Sequence, residues 1–145
     1  MRGPISYTFL FNLVMIFVLI IFCFMAGTLS YYKAFKVNNK IIYNIEKFEG
    51  YNDDAKIAIE RFLGSMSYKS GGIKCAAKYR DMTLVYEGQD YSYCIYIDNE
   101  SPKTGDYYKY GVLTYMEIDL PLVNLVNFKV FTKTNSIYKF TNVQP

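Results

Sequence analysis

The chain has no histidine and no tryptophan, and only three cysteines and four prolines. Without histidine, the commonest general base, the usual activator of a serine or cysteine nucleophile and the commonest metal ligand are missing together. Ser-His-Asp and Cys-His catalysis and histidine-containing zinc sites are therefore excluded. Three cysteines, one of them (Cys23) inside an apolar run, cannot build a four-thiolate cluster. No repeat of fixed period and no low-complexity linker breaks the 145 residues, a length suited to one domain. The 16 Lys+Arg against 13 Asp+Glu leave a formal charge of +3, too mild and too evenly spread to mark a nucleic-acid binder. No nucleophile–base pair or acid pair is visible, so the residues read as a non-enzymatic protein without a cofactor.

What is present begins with Ile5 to Leu29, 25 residues without a charge, 15 of them Leu, Ile, Phe or Val. A bilayer core needs about 20 apolar helical residues, so the run is long enough to span with some tilt. At roughly −0.3 to −0.6 kcal/mol per residue the aliphatic and Phe side chains favour insertion by about 5–9 kcal/mol, well above the cost of Asn12. Tyr7 at one end and Tyr31 and Tyr32 at the other suit an interfacial aromatic belt. The run is about twice the length of a signal-peptide core, and Phe24-Met25-Ala26 lacks the small residue that cleavage requires two places before Ala26. It reads as a retained single-pass anchor in the cell membrane, residues 1–30, with the lipid bilayer as its first partner. Asn12 is either an interhelical contact or a tolerated polar residue near the membrane surface. Two orientation signals oppose each other. Lys33, Lys36 and Lys40 favour a cytoplasmic C-terminal side, while Cys75 and Cys94 form an even pair suited to an oxidising exterior.

Residues 31–145 read as an α+β domain. No Pro or Gly lies between Thr28 and Phe48, and Ala34, Val37, Ile41, Ile45 and Phe48 keep the three-and-four spacing of one helical stripe. The spanning helix thus continues over 31–50 as an amphipathic half that needs a packing partner. Glu49-Gly50-Tyr51 ends it, with Gly50 suited to a left-handed cap. Asn52 reads as the N-cap of a short helix over 52–64, with Asp53 and Asp54 at its positive end, Ala55, Ala58, Ile59, Phe62 and Leu63 as its stripe and Gly64 closing it. Alternation then predicts an antiparallel meander of about five strands over 73–141, one face covered by the amphipathic helix half. Its segments are Ile73–Tyr79, Met82–Tyr86, Tyr91–Ile97, Tyr108–Ile118, Phe128–Val130 and Ile137–Phe140, with Leu122–Val126 as an apolar crossing segment or helical turn.

Cys75 and Cys94 fall on two of these strands, and a disulfide, two buried thiols and a reactive thiol all remain open. Cys23 reads as a small apolar residue in the bilayer. Asp98-Asn99-Glu100-Ser101 with Thr104-Gly105-Asp106 is an oxygen-rich cluster whose spacing matches no calcium loop. It reads as a polar turn, and Pro102 after Asn99-Glu100-Ser101 weakens that triplet as a glycosylation site. The 16 tyrosines are read as strand packing, with a sugar- or peptide-binding surface as the sharper alternative.

Arg2-Gly3 before the apolar run, Tyr31-Tyr32-Lys33-Ala34-Phe35-Lys36-Val37-Asn38-Asn39-Lys40 leading into Ile45 to Asn52, and Tyr115-Met116-Glu117-Ile118-Asp119-Leu120-Pro121-Leu122 ahead of Phe128-Lys129-Val130 resemble type IV pilin-like proteins. More narrowly, they resemble the TadE-like pseudopilins of Gram-positive bacteria. The resemblance implies prepilin cleavage after Gly3, although Pro4 follows it. It also implies a glutamate five residues past the cut, where this chain has Thr8. Minor, tip-type members tolerate that loss, so the resemblance implies a component that initiates or caps a filament in a pilus assembly or secretion system. Its domain would be extracytoplasmic and its partners other pilin-like single-helix membrane proteins. The competing expectation is a single-pass anchored binding or sensor module whose tyrosine-lined sheet takes a ligand.

Overall fold

The computed structural model describes residues 3–66, 72–88, 92–98, 107–120 and 123–138, with the backbone alone for 118–120 and 123–126. Among the described residues two helices, α1 (Gly3–Lys47) and α2 (Asp53–Ser65), precede seven strands. These are β1 (Lys78–Tyr79), β2 (Met82–Glu87), β3 (Tyr93–Asp98), β4 (Tyr107–Tyr108), β5 (Tyr110–Leu120), β6 (Val123–Lys133) and β7 (Ile137–Tyr138). The fold is α+β, as the patterning predicts.

Helix α1 is continuous for 45 residues, about 67 Å. Pro4 sits in its first turn, where no intrahelical N–H is lost. At its far end the Gly50 amide donates to Ile45 O (2.8 Å) and the Glu49 amide to Glu46 O (3.2 Å), the paired bonds of a Schellman cap. The left-handed residue is Glu49, at φ 57°, and Gly50 follows at φ 141°. The expected cap is thus displaced by one residue. Glycine is needed at 50 for that backbone angle, and a Cβ there would meet the Tyr110 hydroxyl at 3.4 Å. Asn52 then joins the two helices. Its Oδ1 accepts from the Ala55 amide (2.9 Å), capping α2, while its Nδ2 donates to Phe48 O (3.0 Å), a carbonyl that α1 leaves open. Gly64 does not close α2, which runs on to Ser65 with Met66 as C-cap.

Five strands form one antiparallel sheet in the order β1-β2-β3-β5-β6, and β4 pairs with β7 as a separate two-stranded ribbon. The expected Ile73–Tyr79 strand reduces to β1. Of the residues before it Ile73 and Cys75 are half-buried against the sheet as a cover, while Ala77, the next position of the alternation, is exposed. Leu122–Val126 is no helical turn: from Val123 onward it is the start of β6, pairing with β5 through Leu120↔Val123 and Ile118↔Val126. Tyr91, Leu122, Phe140 and the Asn99–Asp106 turn lie outside the described residues.

The helix covers one face of the sheet as expected, and the other face is buried as well. Toward α1, Tyr93, Ile95 and Val112 pack with Val37, Ile41, Ile42, Ile45 and Ile59. On the other face Met82, Cys94, Tyr96, Leu113 and Tyr115 pack under Ile73, Cys75 and Tyr79. Strand β3 alternates between the two clusters, and Tyr93 through Tyr96 all have zero exposure.

Candidate functional site

The helix stripe is the first element of the site. Ala34, Val37, Ile41 and Ile45 are buried as their spacing requires. Phe48 lies just past the helix end and is half-buried. Asn12, the polar residue singled out in the sequence, is not packed within the chain. It is exposed on the bare apolar half, sharing a shallow face with Pro4, Ile5, Thr8 and Phe9. Gly3 is the first described residue of α1. The Thr8 hydroxyl donates to Pro4 O (2.9 Å) and that of Thr28 to Phe24 O (2.7 Å), so both are satisfied within the helix. By length and composition α1 can cross a membrane: its most apolar window has a mean hydropathy of 2.9 and none of it is buried within the protein.

The polar residue that does organise the domain is Asn38, which apolar spacing passes over. It has zero exposure. Its Nδ2 donates toward Val112 O (3.0 Å) and Val130 O (3.0 Å), with Thr114 Oγ1 at 3.2 Å. The surrounding oxygens fix the amide orientation, since the flipped rotamer would aim Oδ1 at two carbonyl oxygens. Among the described residues Oδ1 accepts no hydrogen bond. One helical amide thus bonds to β5 and β6 at once. Sliding α1 by a turn would strand those donors in an apolar interface.

On the opposite face Cys75 and Cys94 are joined by a disulfide, Cα–Cα 5.8 Å. It ties the extended cover to β3. Nearby, Arg80 and Asp81 both adopt positive φ (48° and 63°) in the tight β1–β2 turn, the conformation of a primed hairpin turn. The Arg80 guanidinium lies over the rings of Tyr79 (5.7 Å) and Phe131 (5.1 Å). Burial pushes the Tyr96 phenol up to about 12, with the Ala76 backbone partly opposing the shift.

At the α1–α2 corner Tyr51 stacks on Tyr86 (5.0 Å), and its hydroxyl lies 3.1 Å from that of Tyr93. Burial raises both phenols, Tyr51 far above its ordinary range and Tyr93 to about 12, where the hydrogen bond shared with Tyr51 partly offsets burial. Beside them Glu49, Gly50, Tyr51, Asn52, Ile97, Tyr108, Tyr110 and Ile137 line a cleft of about 210 Å³. Among the described residues no three His, Cys, Asp or Glu side chains converge.

No family model, curated protein or solved structure matches the chain.

Proposed function

We propose that the chain is a membrane-anchored, pilin-like (TadE-like) structural component of a bacterial envelope pilus assembly or secretion system, of the minor, tip type. The observation that carries this reading is α1: one unbroken helix whose first half is bare and apolar and whose second half is the packing face of an antiparallel sheet. A lone helix of that kind has its whole apolar circumference free for lipid and for neighbouring helices. With no hydrophobic drive between helices in lipid, side-chain amides and small residues guide such contacts, which gives Asn12 its role. The uncharged Thr8, its hydroxyl already bonded within the helix, fits a subunit that joins at the end of an assembly. The Cys75–Cys94 bridge favours an oxidising, extracytoplasmic location for the domain.

The test is site-specific photocross-linking from position 12 of the full chain in its own cell membrane. The reading predicts an adduct with another single-helix membrane protein, and lipid adducts alone would contradict it. The tyrosine-walled corner cleft favours a second reading, an anchored binding module. In that case a soluble ligand, rather than a membrane neighbour, would shift the tyrosine fluorescence of the full chain, and Tyr110→Ala would abolish the shift.

A further inference from the structure

Lys33, Lys36 and Lys40 are the only charged residues between Arg2 and Glu46. Their spacing of three, four and seven puts all three on one face of α1, beside the stripe of Ala34, Val37, Ile41 and Ile45 that packs on the sheet. Lys36 and Lys40 are exposed and Lys33 is half-buried. Lys36 and Lys40 also line a shallow groove with Tyr32 and Phe35, so the domain does not cover them. Like charges at such spacings repel, and carboxylates ordinarily offset them. On α2, Lys56 has Asp53 and Glu60 three and four residues away. None of the three α1 lysines has an acid at those distances, and among the described residues no carboxylate pairs with them. The Lys40 Nζ lies instead over the Tyr43 ring, 4.6 Å from its centroid. Three unopposed positive charges on one side of a helix fit an anionic partner.

The height of the lysines along α1 selects that partner. The apolar run ends at Leu29, and at 1.5 Å per residue Lys33, Lys36 and Lys40 stand about 6, 10 and 16 Å beyond it. The polar layer of a bilayer adds about 5–8 Å on each side of the hydrocarbon. Helical side chains lean toward the N-terminus, and lysine carries its ammonium on a long stem. The ammonium groups of Lys33 and Lys36 therefore come down to the level of the lipid phosphates. Lys40 follows within the roughly 8 Å over which charge is felt at physiological ionic strength. Tyr31 and Tyr32, 52% and 64% exposed, stand at the same boundary, where rings with a polar tip settle.

We propose that Lys33, Lys36 and Lys40 form a headgroup-binding face that gathers anionic phospholipid around α1 on the domain's side of the membrane. The occupant is lipid and not a soluble anion, because the lysines and the exposed tyrosines share the height of the bilayer surface. The proposal rests on the reading that Ile5 to Leu29 spans. Bound headgroups offset the repulsion among the lysines and fix the depth at which α1 sits.

The absence of tryptophan allows a single reporter without background. Tyr32→Trp, one turn from Lys36, is reconstituted as the full chain in phosphatidylcholine bilayers. These contain the same minor fraction of either phosphatidylglycerol or phosphatidylcholine brominated on the upper acyl chain. The brominated phosphatidylglycerol should quench more strongly, most of all at low salt. The attraction of each lysine to an anionic surface is worth about fivefold. Lys33→Gln, Lys36→Gln or Lys40→Gln alone should therefore lower the excess by up to about fivefold, and the three together should abolish it. Equal quenching by the two lipids would overturn the proposal, as would an excess that survives the triple replacement. Loss of the excess on adding soluble glycerol phosphate at constant ionic strength would also overturn it, by assigning the face to a free anion. Failure of the spanning reading is separately visible. Phe17→Trp should be quenched by phosphatidylcholine brominated near the acyl-chain ends, and would escape quenching if α1 did not cross.

Discussion

At Asn38 one side-chain amide holds a helix to two strands, and its donors matter more than its shape. Asn38→Asp keeps the size but turns two donated hydrogens into a carboxylate facing carbonyl oxygens in a fully buried site. Chemical denaturation should show a loss of about 3–5 kcal/mol, against about 1–3 kcal/mol for Asn38→Leu, and equal stability of Asn38→Asp and wild type would refute this account. Asn52 acts on both sides of the helix corner. Asn52→Ala should cost about 1–2 kcal/mol, and Asn52→Asp, an equally good N-cap in isolation, should still be less stable than wild type. The carboxylate would keep the acceptor for Ala55 but place negative charge against Phe48 O. The buried phenols give a pH signature. Tyr93 and Tyr96 hold their protons to about 12 in the folded protein, against an ordinary value of 10.0. Their contribution is fully present below pH 10.0 and is lost as pH rises toward about 12. Alkaline unfolding followed by far-ultraviolet circular dichroism should fall in that window, and a transition already complete below pH 10.0 would contradict it. Asn52 could be read from sequence because capping is local chemistry. Asn38 could not, because its partners are 74 to 92 residues away and periodicity counts only apolar positions.

Among the elements, α1 was the most legible, since uninterrupted apolar spacing has one helical solution. Its packing is directly testable. Ile41 and Ile45 have zero exposure against the sheet. Ile41→Asp or Ile45→Asp therefore buries a charge, at a cost of about 4 kcal/mol or more, which removes most of the stability of a domain near the lower end of the roughly 5–15 kcal/mol range. Unchanged protease resistance of either variant would show that this face is not the helix–sheet interface. Legibility was poorer where alternation has two outcomes. Ile73, Cys75, Ala77 and Tyr79 alternate like a strand, yet only Lys78 and Tyr79 pair in the sheet. Ile73 and Cys75 pack on the outer cluster, with the disulfide tying Cys75 to β3, so period two records burial there without a ladder, whereas Ala77 is exposed and its carbonyl accepts from the Leu84 amide (3.0 Å). The short apolar run through Val126 was ambiguous between helix and strand, as such runs are, and the long register with β5 decided it.

For the whole molecule, the continuity of α1 is the consequential feature, because under the proposed anchoring one rigid helix would be shared by bilayer and domain and would pass position from one to the other. The charge follows the same division. Apart from Arg2, the cations before Glu46 are Lys33, Lys36 and Lys40, all on the part of α1 that follows its apolar run, a concentration that the overall charge conceals. The central claim is that α1 crosses the bilayer and carries the disulfide-bonded domain outside. The most direct measurement labels Cys75 and Cys94 in intact cells with a membrane-impermeant maleimide, before and after an impermeant reductant, with lysed and denatured controls. The account predicts no labelling before reduction and labelling of both residues after it, without lysis. Labelling that emerges only once the cells are lysed, with thiols that react in the denatured control without reductant, would put a reduced domain in the cytoplasm and contradict it.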